Sequence, residues 1–210
     1  MKYLFIDASE NSTFAQTGDT DGFKPRSFAT DRNFAARITL ICDEMLGNAG
    51  WSFSDLDCLA LCTGPGSLTG LRVAAAFLRT AAMLTGKPLV GVNLFEWSLQ
   101  SLLNQKKTGA IRVVMPTLID KAFMVEATLP SLHHSNPELI DRSASGTHPD
   151  TYGIRFTVPG VTEVKLDPAA LHEILCKKEL KAAAGMSEIL NILPMYVIPS
   201  QAERKFKENL

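Results

Sequence analysis

The sequence has almost no net charge. Across 210 residues, 21 lysines and arginines face 22 aspartates and glutamates, a formal charge of −1. No overall basic field therefore attracts a polyanion such as a nucleic acid. The one small basic cluster, Arg204, Lys205 and Lys207, sits at the tail and reads as a solvated terminus. Long apolar runs are also lacking, and none is long enough to span a bilayer. The N-terminus offers one Lys and a short apolar stretch broken by Asp7, which is not a signal peptide. These absences predict a cytoplasmic protein with no membrane partner. Histidine is scarce: His133, His134, His148 and His172 form no i, i+4 pair of the kind that grips a metal on a helix. The four cysteines are scattered, and a reducing compartment keeps them as thiols. Cys58 and Cys62 look like a metal pair, but on a strand four residues span ~13 Å, too far for one ion. Core packing suits them better. A hydrolase elbow is absent, and Ser67 has no base close to it in sequence. The expectation is no stoichiometric metal, no catalytic residues and negligible peptide hydrolysis.

What is present is an ordinary globular composition, 46% apolar and 20% charged, with enough length for one or two domains. Residues 1–6 read as a buried strand. Residues 13–17 read as the second arm of a hairpin after the polar turn 9–12. Phe34, Ile38, Ile41, Cys42, Met45 and Leu46 recur at helical spacing, with Asp31 as N-cap and Gly47-Asn48 as stop. Residues 56–62 form an apolar strand. A helix over 70–84, closed by Gly86 and Pro88, is apolar nearly all round and must be covered nearly all round. A strand over 88–92 and a helix over 94–103 follow. The polar stretch 104–109 marks the expected boundary between a first unit, 1–105, and a second, 106–210. The second unit reads as a strand pair over 112–119 and 122–129, a surface loop over 130–149 and a strand over 156–164. A helix follows from Asp167-Pro168 to about residue 184, ended by Gly185. This is an α/β organisation in two lobes with a mixed sheet.

The most informative run is Gly64-Pro65-Gly66-Ser67-Leu68-Thr69-Gly70-Leu71-Arg72, where an apolar strand turns into a helix. Gly64, Gly66 and Gly70 permit backbone conformations and close approaches that a Cβ would block. Ser67 and Thr69 are both candidate N-caps. The product is a helix N-terminus with free N–H groups, suited to an anion or phosphate. It is not a Walker A loop, lacking the Lys-Ser/Thr pair, and its glycine spacing is one residue too wide for the dinucleotide fingerprint. Its chemistry leaves two readings open: a phosphate site, or a tight turn with good caps and no ligand. Asp7, at the end of the first strand, also has two roles open to it. It can anchor a polar site, or it can accept the N–H groups of its own turn, the simpler reading.

The same nine residues resemble the GPGS-x-TGLR signature of the TsaB (YeaZ) family, partner proteins in the synthesis of threonylcarbamoyladenosine on tRNA. The opening strand ending in Asp7-Ala8-Ser9, the strand Pro88-Leu89-Val90-Gly91-Val92 and the segment Asn191-Ile192-Leu193-Pro194-Met195-Tyr196 fall where that family has similar features. The resemblance is close to about residue 103 and looser beyond. It implies the actin-like, sugar-kinase-like ATPase fold (ribonuclease H-like), with a full first lobe and a reduced second one. The catalytic relative, TsaD, carries a His-x-x-x-His metal pair that is missing here. Asp120 is followed by Lys121-Ala122 where the family has Asp-Ala-Arg, and Glu96 is another isolated carboxylate.

The resemblance implies a non-catalytic subunit that binds a TsaD-like transferase and, through it, a TsaE-like ATPase, touching tRNA only indirectly. ATP or ADP with magnesium would belong to that complex, with Asp7, Gly64, Gly66, Ser67, Thr69 and Gly70 as the residues nearest any nucleotide. The two first-lobe helices would supply the partner surface through Phe34, Ile38, Ile41, Cys42, Met45, Leu71, Ala74, Ala75, Leu78 and Ala82. The same surface would make a homodimer of the chain alone. The alternative is a glycoprotease-like peptidase or a small actin-like ATPase acting on its own, supported by Asp7 and the glycine loop.

Overall fold

The computed structural model describes residues 1–29, 34–117, 120–178 and 186–195, excepting the side chains of 186–188. The chain opens with β1 (Tyr3–Asp7), followed by β2 (Ser12–Asp19) and β3 (Gly22–Ala29). Next come α1 (Phe34–Ala49), β4 (Cys58–Gly64), α2 (Leu68–Thr85), β5 (Leu89–Asn93) and α3 (Leu94–Asn104). These strands form one mixed five-stranded sheet in the order β3-β2-β1-β4-β5. All five residues of β1 are buried, as are the first five of β4. Burial on both faces of the central strands is why they read as unbroken apolar runs.

The second half holds β6 (Gly109–Pro116), β7 (Lys121–Leu129), β8 (Glu138–Asp141), β9 (Thr151–Ile154) and β10 (Thr162–Val164). They form a second five-stranded sheet, ordered β10-β9-β6-β7-β8. The helices α4 (Pro168–Lys177) and α5 (Met186–Asn191) complete the described chain. Here burial alternates along β7, with one side packed and the other open.

Register sorts the residues of the first sheet onto two faces. Leu4 pairs with Leu59 and Ile6 with Leu61, and these look toward α1 and α2. Tyr3 pairs with Cys58 and Phe5 with Ala60, and these look toward α3, α4 and the second sheet. One apolar core therefore runs without interruption from β1 and β4 through Phe95, Trp97, Leu171 and Ile174 to Val113 and Val125.

Several expectations need correction. Residues 22–29 had no assignment, yet they form β3, an edge strand. Lys24, Pro25 and Arg26 hide its strand character and also guard it against pairing with other chains. The helix α1 runs past Gly47-Asn48 to Ala49, and Gly50 ends it with φ +73°. The segment 130–149 holds β8 and a 3-10 helix, while the strand expected over 156–164 shrinks to β10, with β9 just before it. α4 ends at Lys177, so the rest of the expected helix and its Gly185 stop lie outside the described residues, as do Asp31, Tyr196 and the basic tail. Contrary to the expectation about long apolar runs, α2 is long and apolar enough to cross a membrane by length and composition, with mean hydropathy 1.2. In the fold it packs on β4 and α1, and it carries Arg72 and Arg79.

Candidate functional site

The β1–β2 turn and the loop leading into α2 lie against each other at backbone distance. The Ser67 N–H donates to the Ser9 carbonyl at 2.7 Å. A Cβ on Gly66 would meet the Ser9 Cβ and carbonyl oxygen at 2.5 Å, and one on Gly70 would meet the Ala8 carbonyl oxygen at 2.1 Å. The glycines are required there because two backbones touch. Gly64, with φ +97°, turns the chain out of β4. Ser67 is the N-cap: its Oγ accepts from the Gly70 N–H at 3.4 Å. Thr69 is already inside the helix and exposed. At the other end Gly86, with φ +64°, sends its N–H to the Ala82 carbonyl.

The C-terminal segment docks beside this loop. A bulge between Cys62 and Gly64 interrupts the β4–β5 ladder, and the Thr63 carbonyl accepts the Met195 N–H at 2.7 Å. Arg79 of α2 donates to the Leu190 carbonyl at 3.1 Å and also to that of Ile192, closing the end of α5. Two of the segments that carry the family resemblance, more than a hundred residues apart, thus meet at the base of the loop.

The structure separates the six residues named as nearest a nucleotide. Ser67, Thr69 and Gly70 line a cavity of about 600 Å³ with Glu10, Asn11 and Phe34, between the β1–β2 turn and the starts of α1 and α2. Among the described residues its lining holds hydroxyls, an amide and a carboxylate, but no Lys or Arg to oppose a phosphate. Gly64 and Gly66 shape the loop behind it. Asp7 points to the opposite face of the sheet, the face of Tyr3 and Phe5. There its carboxylate accepts the Ser9 N–H at 2.8 Å, which is the turn role, and pairs with the Arg155 guanidinium at 3.1 Å. Arg155 follows β9 in the second sheet and also reaches the Ser9 hydroxyl and the Glu10 carboxylate, each at 2.9 Å. Sequence reasoning missed Arg155. It stands in no motif, and its one local oddity, a left-handed backbone with φ +54°, is invisible in sequence.

Other named residues resolve simply. Cys58 and Cys62 are core, and burial pushes the Cys58 thiol up to about 12 and the Cys62 thiol up as well. Glu96 pairs with Lys178 at 3.2 Å. Asp120 extends the antiparallel β7–β8 pairing by one step, its carbonyl accepting the Arg142 N–H at 2.7 Å. Among the described residues no group of three or more His, Cys, Asp or Glu side chains could hold a metal ion. The residues named for the partner surface are buried within the chain itself. Phe34, Ile38, Ile41, Cys42, Met45, Ala74, Ala75, Leu78 and Ala82 form the core between the two helices and the sheet, and Leu71 belongs to the core on the far side. Helical spacing finds the most apolar stripe, and that stripe faces the protein's own sheet. The outer faces of α1 and α2 carry Leu40, Met83 and Leu84, which are 65%, 43% and 83% exposed.

Comparison with known proteins fits this geometry. A fungal tRNA N6-adenosine threonylcarbamoyltransferase, from Cryptococcus neoformans, is 40% identical over 73 residues, covering 35% of this chain and 19% of its own length. The chain thus spans about a fifth of the length of the curated relatives it matches. Two solved structures from Pseudomonas aeruginosa cover far more. A protein with similarity to peptidase YEAZ superposes over 94% of this chain and 99% of its own, with TM-score 0.72 and 16% identity. YeaZ itself superposes over 93% and 99%, with TM-score 0.69 and 16% identity. The fold is therefore the actin-like one with a reduced second lobe. The family described as TsaD, tRNA N6-adenosine threonylcarbamoyltransferase, matches residues 6–117. That match covers more than half of the chain, from β1 through α2 and its signature loop to β6, and the chain belongs to this family.

Proposed function

We propose that the chain is a non-catalytic subunit that pairs with a TsaD-type transferase and supports threonylcarbamoyl transfer to adenosine in tRNA. The observation that carries this reading is the set of exposed apolar side chains on the outer faces of α1 and α2, Leu40, Met83 and Leu84, the last two at the C-terminal end of the helix whose start the signature loop braces. Family kinship supplies the class of partner. In this reading residues 1–105 form the interacting lobe and 106–210 the reduced one. A TsaE-like ATPase joins through the transferase, tRNA is touched indirectly, and any ATP or ADP with magnesium belongs to the assembled complex in the cytoplasm. Alone, the chain pairs with itself through the same face, burying more than about 1,000 Å² in total. A peptidase acting by itself would need an activated nucleophile, whereas the Ser67 hydroxyl is engaged as a helix cap.

Depleting the protein and measuring threonylcarbamoyladenosine in tRNA by mass spectrometry tests the reading. The modified base should be lost, and unchanged modification with no second family copy in the genome overturns it. Leu40→Glu together with Leu84→Glu, both at exposed positions, should leave folding intact and abolish co-purification with the transferase.

A further inference from the structure

We propose that the outward face of the second sheet carries a binding site for a phosphate group that retains a proton. The site is a cavity of about 360 Å³ lined by Arg112, Glu126, Thr128, Ser131, His133 and His148. Strand register builds its floor. Arg112 pairs with Glu126 and Ala110 with Thr128 across β6 and β7, on the side opposite the buried Ile111, Val113, Val125 and Ala127. The segment after β7 makes one wall. A bridge from His134 to Ala127 pins it, as does the Ser135 N–H on the Glu126 carbonyl at 2.9 Å. His134 turns inward onto Phe95, with ring centroids 5.9 Å apart, so its neighbour His133 stands on the cavity side. The run into β9 makes the other wall. There the Asp150 carbonyl accepts the Arg112 N–H at 3.0 Å and sets His148 beside the floor.

The polar groups of this cavity are only partly used by the protein. Arg112 gives its Nε to one Glu126 oxygen at 2.8 Å. Its two terminal nitrogens and the second Glu126 oxygen have no partner among the described residues, nor do the Thr128 hydroxyl and the His133 ring. His148 Nδ1 accepts the Asp150 N–H at 3.3 Å, so in the neutral ring Nε2 carries the proton and donates. Several N–H and O–H donors set against one carboxylate oxygen are the complement of an oxyanion, and the planar guanidinium fork matches two oxygens of a phosphate. The carboxylate decides which oxyanion fits. It repels an anion that has lost every proton, and it accepts a hydrogen bond from a P–OH group. Phosphate keeps such a proton near neutral pH and sulfate does not. The site lies on the second sheet, away from α1 and α2, and does not depend on the partner reading above.

The test is calorimetric titration of the purified full chain with inorganic phosphate and, separately, with sulfate. It is run at about pH 6, near the second pKa of a phosphate monoester. Wild type should bind phosphate about tenfold or more tightly than sulfate, the scale of one hydrogen bond to a charged group. Arg112 and Glu126 are 31% and 53% exposed, so variants at both should fold, which circular dichroism checks. Arg112→Gln should weaken phosphate binding about tenfold or more. Glu126→Gln exchanges the acceptor for an amide donor, and the ratio of phosphate to sulfate affinity should fall to about one, whatever the affinities themselves do. Glycerol 3-phosphate in place of phosphate identifies the source. Tighter binding than the free ion assigns the site to a phosphate monoester, and weaker binding assigns it to inorganic phosphate. A wild type that binds no phosphate overturns the proposal, as does one that binds phosphate and sulfate alike. So does a preference that survives Glu126→Gln, or a folded Arg112→Gln chain that binds phosphate as wild type does.

Discussion

The two faces of the first sheet are closed by different physics. On the α1/α2 face, Leu4, Ile6, Leu59 and Leu61 meet Ile38, Ile41, Leu78 and Ala82, and the polar side chains of β2 buried there are the hydroxyls of Thr13 and Thr17. On the other face, hydrocarbon is interleaved with directional contacts to the second half of the chain. The Gln16 amide donates to the Tyr3 oxygen at 2.7 Å and to the Pro168 carbonyl at 3.2 Å. The Trp97 indole donates to the Asp167 carbonyl at 2.7 Å, Ser101 accepts the Asp167 N–H at 3.0 Å, and Asp7 holds Arg155. Phe5, Phe14 and Trp97 add edge-on and tilted ring contacts with centroids 5.2 to 6.4 Å apart. An apolar face tolerates sliding, whereas a hydrogen-bonded one fixes a single register. The lobe's own helices need only be covered, but the second half must arrive in one orientation for Arg155 to reach Asp7.

The comparison predicts unequal costs. Leu61→Ala empties a fully buried position on the apolar face and should cost about 2–5 kcal/mol in urea unfolding. Tyr3→Phe on the seam keeps the ring, but it takes the phenol from Gln16 and from the His172 ring nitrogen 2.9 Å away. Since Gln16 keeps Pro168 as a partner, the loss should be smaller, about 1–3 kcal/mol. Equal losses would mean that the seam contributes as much stability as the hydrocarbon face, and the contrast would fail.

The sequence made the apolar face legible and the seam almost invisible. β1, β4, α1 and α2 announce themselves because burial dictates residue type at every turn or on every residue. The same rule picks out buried residues: Ile38 and Leu78 are apolar because they face the sheet, while Leu40 and Leu84 look unremarkable in sequence and are exposed. The glycine loop was legible as a turn with close backbone approach. Which atoms approach, the Ala8 and Ser9 carbonyls, depends on tertiary placement. Arg155, Gln16 and His172 carry no local signal, because each is defined by a partner far away in the chain. In the second half, β8, β9 and β10 are three or four residues long, too short for alternation to establish itself.

The smallest effect belongs to His172, and it sharpens the contrast because it adds a pH dependence to the seam alone. The Pro168 carbonyl can only accept, which fixes the Gln16 amide with its NH₂ toward both Pro168 and Tyr3. The Tyr3 oxygen thus accepts from Gln16, and with a neutral His172 ring whose Nδ1 is unprotonated it donates its own proton there. Burial pushes the His172 pKa below its ordinary value of 6.5, helped by the N-terminal amine, while the Asp19 and Glu173 carboxylates pull the other way. A histidine whose folded pKa is depressed binds its proton first in the unfolded chain. Stability is therefore fully present above about pH 6.5, falls as pH drops from there to the folded pKa, and loses nothing more from this residue below it. Protonation also turns Nδ1 into a donor, so the Tyr3 hydroxyl loses the acceptor for its own proton at the contact between α4 and β1. The apolar face has no counterpart, since its buried cysteine, Cys42, is pushed up to about 12. Urea midpoints of wild type should drop between pH 7.5 and pH 5.5, and His172→Gln should show a smaller drop over the same interval. An identical drop in the variant would place the pH sensitivity somewhere other than this seam.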